Sequence, residues 1–172
     1  EITADLRDIP SAVGGDRSKR RGIILAKSIP AKKYKVQTGE PITDALKKCP
    51  NLVIVPSRHG IYREYSRAFI AILERYSDRI EQCSIDECFV DMTGTEKLFG
   101  PPVESAARIK DEIRRELGFT VNVGISTNKL LAKMASDFRK PDLVHTLFPQ
   151  EIPDKMWRLT VGDLFLVGKS TE

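Results

Sequence analysis

The sequence predicts an α+β fold, an antiparallel sheet covered on one face by helices, on three observations. Apolar side chains over residues 60–80 fall at Tyr62, Tyr65, Phe69, Ile72, Leu73 and Tyr76, the three-and-four spacing of one helix face. Residues 102–117 repeat that spacing with Ala106, Ile109, Ile113 and Leu117, and set Lys110, Arg114 and Arg115 on the opposite side. Between and after these helices lie short alternating segments, so the middle reads helix, hairpin, helix, strand, helix, strand. Both long helices are expected on the same face of the hairpin's sheet.

The elements follow in order. Residues 21–26 read as a short strand, 31–34 as a helical turn and 52–56 as a second strand. Residues 41–48 read as a helix opened by Pro41 and Thr43 and stopped by Pro50. Residues 79–92, with β-compatible flanks around Ser84 to Glu87, form the hairpin. Strand alternation returns at Phe119, Val121, Val123 and Ile125, followed by a helix over about 128–138 and a strand over 143–148. Beyond Pro149 and Pro153, residues 155–168 look like the opening of a further helical unit. Val13-Gly14-Gly15-Asp16-Arg17 reads as a turn; Gly-Gly-Asp also occurs in nucleotide cyclases, but here it precedes the sheet and lacks a following acid.

Composition narrows the function. With 172 residues, 41% hydrophobic and 30% charged, and no run of about 18 uncharged apolar residues, the chain belongs with globular proteins and no membrane partner is expected. No basic-then-apolar opening with a small-residue cleavage site appears, so the cytoplasm is the expected location. Lys and Arg total 28 against 24 for Asp and Glu, yet between residues 16 and 35 eight basic residues face Asp16 alone. Arg20 and Arg21 are the candidate DNA-binding residues of that run, which suits a polyanion and equally suits a solvated loop. Cys49, Cys83 and Cys88 lack a CxxC pair or histidines at zinc spacing, and read as buried reduced thiols.

Asp86 and Glu87 are adjacent acids. On a regular strand they point to opposite faces; at a hairpin bend both can project from the tip toward shared hard cations. Asp91 either approaches the same region or closes the second strand. An exposed acidic tip is the plain alternative.

The surrounding motifs point further. Ser84-Ile85-Asp86-Glu87, Cys88-Phe89-Val90-Asp91 and Thr93-Gly94 closely resemble the catalytic hairpin of the Y-family, or translesion, DNA polymerases. Further matches run in the family's order: Ala26-Lys27 through Ala31-Lys32-Lys33-Tyr34 to Thr38-Gly39-Glu40-Pro41, then Val123-Gly124-Ile125-Ser126-Thr127-Asn128-Lys129-Leu130-Leu131-Ala132-Lys133-Met134-Ala135-Ser136, then Arg139-Lys140-Pro141-Asp142. The resemblance spans about residues 9–168 and is nearest the family's bacterial branch.

The resemblance implies a polymerase palm with a small fingers subdomain over 1–58, the palm over 59–147 and the start of a truncated helix-hairpin-helix thumb over 148–172. It implies Asp86 and Glu87 as catalytic ligands of two magnesium ions (Mg2+), and Lys32 and Lys140 as contacts to the nucleotide triphosphate. Primed template DNA and deoxynucleoside triphosphates are the implied partners, and any sliding-clamp contact falls to C-terminal regions outside this chain. The expected function is template-directed synthesis past damaged bases, with the chain inactive by itself because the third metal-binding aspartate and the aromatic gate precede it. Departures from the family pattern are Ile29 for a tyrosine, Lys32 for an arginine, and Lys35 and Leu166 for glycines. The competing reading is a non-catalytic nucleic-acid-binding α+β module, which would need stacking aromatics that the strands do not offer.

Overall fold

The computed structural model describes residues 5–15, 22–168 and 171 of the 172-residue chain. The chain divides into two compact units, residues 1–60 and 61–172.

In the first unit, β1 (Ser11–Gly14) lies between β2 (Ile24–Lys27), antiparallel to it, and β3 (Val53–Pro56), parallel to it. The helices α1 (Ile29–Lys33) and α2 (Ile42–Lys48) complete the unit. Its core comprises Ala12, Ile24, Ala31, Val36, Ile42, Ala45, Cys49 and Leu52. Ser28 caps α1, its hydroxyl accepting from the Ala31 N–H at 3.2 Å, and Pro30 fits the first turn, where no backbone donor is needed. The Val13-Gly14 pair is therefore strand, not turn. Cross-strand pairing with Ala26, Ile24, Val55 and Pro56 overrides the local turn preference of Gly14. Asp16 to Arg21, including the candidate residues Arg20 and Arg21, lie outside the described residues.

The helix α3 (His59–Leu73) leads into the second unit, where β4 (Ile80–Gln82) and β5 (Cys88–Val90) form an antiparallel hairpin. There follow α4 (Glu96–Phe99), α5 (Pro102–Leu117), β6 (Val123–Ile125), α6 (Lys129–Asp137) and β7 (Val144–Thr146). A 3-10 turn (Pro149–Glu151), α7 (Ile152–Lys155) and a second 3-10 turn (Val161–Asp163) end the described chain. The α+β character expected from the pattern is present, with strands in three small sheets among the described residues instead of one antiparallel sheet. Moreover, β6 and β7 are parallel. The intervening α6 makes this possible, because parallel neighbours need a crossover connection and a helix supplies one.

Residues Ile80, Cys88 and Val90 present one face of the hairpin to Ile72, Leu73 and Tyr76 of the α3 segment and to Ile109 and Ile113 of α5. Both helices thus pack on the same hairpin face. The α3 helix ends earlier than its periodicity suggests: the Tyr76 N–H bonds the Leu73 carbonyl, and the Ser77 hydroxyl donates to the Asp91 carbonyl at 2.7 Å, turning the chain into β4. Tyr62 and Tyr65, expected on the buried face, are exposed, and Tyr65 meets Phe119 edge-on at 6.0 Å. Arg75 bridges the two segments through Glu112 at 2.5 Å and Glu116 at 2.9 Å. A third core joins Leu131, Met134 and Ala135 of α6 to Leu147, with Ile152, Met156, Leu159 and Leu164 packed against it. Among the described residues, no helix is long and apolar enough to cross a membrane.

Candidate metal and nucleotide site

The five-residue connection Cys83 to Glu87 closes the hairpin, with the Cys83 and Ser84 N–H groups both donating to the Glu87 carbonyl at 3.0 and 3.1 Å. Ser84 folds back inside the loop: its hydroxyl donates to Asp86 Oδ1 at 2.6 Å and accepts from the Asp86 N–H at 3.3 Å. Gln82 braces the loop from below, donating through Nε2 to the Ser84 carbonyl at 2.9 Å and to the α3 residue Ser66 at 3.2 Å. Asp86 and Glu87 are both exposed at this tip. Asp91 does not join them. It pairs with Arg79 at 2.9 Å, accepts from the Thr93 N–H, and closes the base of the hairpin. Those contacts hold its carboxyl below the usual carboxylate range, the Thr93 hydrogen bonds first.

Helix α6 lies beside the hairpin and is fixed by its own sequence: Asn128 caps it, accepting from the Leu131 N–H at 2.9 Å. Its first turn carries Lys129, which pairs with Glu81 and stands over the Phe89 ring at 5.9 Å. One turn later, Lys133 Nζ reaches Glu87 Oε1 at 2.5 Å and Asp137 Oδ2 at 3.2 Å. Burial pulls the Lys133 ammonium's pKa down, but the hydrogen bonds it donates to Glu87 and Asp137 outweigh that and leave the value raised. Asp137 in turn holds Lys140 at 2.7 Å. Burial raises the Asp137 carboxyl, and its two lysine partners bring it below the ordinary value.

The turn bearing Lys140 is clamped from two sides. Asn122 donates to the carbonyls of Ser136 at 3.0 Å and Arg139 at 2.6 Å, and accepts from the Leu143 N–H at 3.2 Å. Asp142, at φ 62°, takes Lys110 at 3.1 Å and Arg114 at 2.9 Å. The structure therefore brings Asp86, Glu87 and Lys140 into one unit, with Glu87 and Lys140 joined through Lys133 and Asp137. Lys32 stands in the other unit, exposed in the last turn of α1. Ile29, beside it, is 73% exposed.

The motif of residues 123–136 includes Lys133 with no role attached to it, and Asn122 falls just before that motif. The signal for Lys133 was its spacing, four residues on from Lys129 and four before Asp137, which stacks all three on one helix face. A cleft of about 560 Å³ beside the hairpin is lined by Arg63, Ser66, Arg67, Ile70, Gln82 and Ile85 among others. Arg63 and Arg67, one turn apart, supply its positive charge. The cysteines correct one expectation: Cys49 is buried and Cys88 half-buried, but Cys83 is exposed in the loop because the hairpin bend turns it away from the core.

The donor chemistry of the tip suits a hard divalent cation. Two carboxylates, a serine hydroxyl and loop carbonyls are all oxygen donors, and magnesium characteristically binds through one or two carboxylates together with substrate phosphates. Among the described residues, no group of three or more Asp, Glu, His or Cys side chains assembles into a metal cage.

A family model described as impB/mucB/samB matches residues 1–137. The DNA polymerase IV of Clostridium acetobutylicum is 54% identical over 166 residues, covering 96% of this chain and 42% of that protein. Among solved structures, DinB from Sulfolobus solfataricus superposes with a TM-score of 0.85 at 32% identity, over 95% of this chain and 48% of the other. An insertion ternary complex of Dbh DNA polymerase gives 0.82 at 32% identity, over 94% and 48%. The chain thus spans less than half the length of the curated relatives it matches.

Proposed function

Because the chain belongs to the impB/mucB/samB family, we propose that it is the fingers, palm and first thumb segment of a translesion DNA polymerase. The single observation that carries the reading is the exposed hairpin tip, where Asp86 and Glu87 project from a braced loop within reach of α6. Asp86 and Glu87 would hold two magnesium ions. Bound there, the metal would supply positive charge that activates a primer hydroxyl and neutralises the leaving pyrophosphate.

Around that site the chain's own residues orient and bind. Ser84 fixes the Asp86 carboxylate, Gln82 holds the loop against α3, and Lys133 holds Glu87. Lys140, on its clamped turn, and Lys32 contact the nucleotide triphosphate; as point charges they supply attraction without a guanidinium's bidentate fork. Primed template DNA and deoxynucleoside triphosphates are the substrates under this reading, residues 1–58, 59–147 and 148–172 form fingers, palm and thumb start, and the protein works in the cytoplasm. Arg20 and Arg21 belong to the template contact.

Kinetics of single-nucleotide incorporation test the assignment of Lys140. In a full-length family polymerase whose matching segment is replaced by this chain, Lys140→Ala raises the apparent nucleotide KM or slows incorporation, and leaves primed-DNA affinity near its starting value. Unchanged incorporation with weakened DNA affinity would move Lys140 to the DNA backbone.

A further inference from the structure

The ion pairs around Glu87 form a row of alternating sign on two elements, the hairpin tip and the α6 region. Lys133 is its centre, 2.5 Å from Glu87 and 3.2 Å from Asp137, with Lys140 2.7 Å from the far side of Asp137. The Lys133 side chain is only 13% exposed, against 47% for Glu87 and 43% for Asp137. Its ammonium also lies 5.6 Å from the Phe165 ring centre, so its stem is confined as well as its charge.

An ammonium carries three donors, enough to hold both carboxylates together. A largely buried cation is costly when left without a partner. With two partners, Lys133 can surrender one and remain compensated. We infer that Lys133 is the resident counter-cation of Glu87, a positioning residue that holds the hairpin-tip carboxylate and yields it to a divalent cation by moving fully onto Asp137. The inference rests on the metal-binding reading of the tip.

Lys133 and Asp137, the next two members of the row after Glu87, then act on metal affinity with opposite signs. Removing the Lys133 charge removes a competitor for Glu87. Removing the Asp137 charge leaves Lys133 with Glu87 alone and makes it harder to displace. A residue that merely supports the fold would give both variants the same sign, since each would loosen the hairpin's support.

Calorimetric titration of magnesium ion into this 172-residue chain reads the difference. Lys133→Met, which keeps the buried stem, is expected to tighten binding roughly fivefold, the upper scale of one partly exposed charge pair. Asp137→Asn weakens binding by a similar factor, and Lys133→Arg stays near the original value. Should Lys133→Met fail to fold, the sign of Asp137→Asn decides. Unchanged or weaker binding in Lys133→Met, or unchanged or tighter binding in Asp137→Asn, overturns the inference. If Glu87→Gln weakens binding while Lys133→Met does nothing, the counter-cation role falls and the metal reading stands. If Glu87→Gln changes nothing, or if neither the original chain nor Lys133→Met binds magnesium, the metal reading falls with it.

Discussion

Lys35 and Leu166 hold φ angles of 60° and 68°, the left-handed region in which a side chain's Cβ crowds the backbone. Both stand where the family resemblance leads one to expect glycine, so the turns keep a glycine conformation without the glycine. Lys35→Gly is therefore expected to raise stability by about 1 kcal/mol, measured by chemical denaturation; a loss would mean that other contacts of Lys35 outweigh the relief. The cysteines give a second outcome at this scale. Burial raises the Cys88 thiol to about 11, with the neighbouring Cys83 adding a smaller push, so Cys88 stays protonated near neutral pH. The associated stability is complete below the unfolded thiol's value of about 9 and is lost as pH rises through about 11. Alkylation of the folded protein near neutral pH is expected at exposed Cys83, with Cys88 and Cys49 protected until unfolding, as peptide mass mapping would show. The placement of Asp86 and Glu87 at a hairpin tip was legible in the sequence because two adjacent acids lie between β-compatible flanks. The Lys133 contact was not legible, because a lysine's reach across to another element depends on how α6 is set against the hairpin.

Among the elements, the β6–α6–β7 unit is the most tightly specified. A Cβ built on Gly124 would fall against the Ala132 carbonyl oxygen and 2.5 Å from the Ser136 nitrogen, both backbone atoms of α6. Neither can swing aside as a side-chain tip would. Gly124→Ala should cost about 3 kcal/mol, readable as a lowered thermal midpoint, and should disturb the α6 placement of Lys133. A midpoint shift of under a degree or two would contradict this packing. Element identity followed from pattern: α5 occupies the residues its apolar spacing marks, and α6 begins at its Asn128 cap. The misses have physical causes. The α3 periodicity continues through Tyr76, but 3-10 hydrogen bonds end the helix first. Phe119 and Val121 alternate like strand residues and pack against the second core without pairing as strand. β1 escaped notice because its four residues end in glycine and draw their order from neighbours on both sides.

For the whole molecule, the α+β class was readable because helix periodicity and strand alternation change sharply along the chain. The division of strands into separate sheets was not, since hydrogen-bonded neighbours are set by tertiary packing. Each unit has a buried apolar core of its own, one around Ile24 and Val36 and the other around Ile72 and Ile113. The central claim concerns what the second unit's hairpin does. Template-directed primer extension by a full-length family polymerase carrying this chain in place of its matching segment tests it most directly. The account predicts extension that falls to background in Asp86→Ala and Glu87→Ala while the folded state persists by circular dichroism. Robust extension by the Asp86→Ala protein would contradict it.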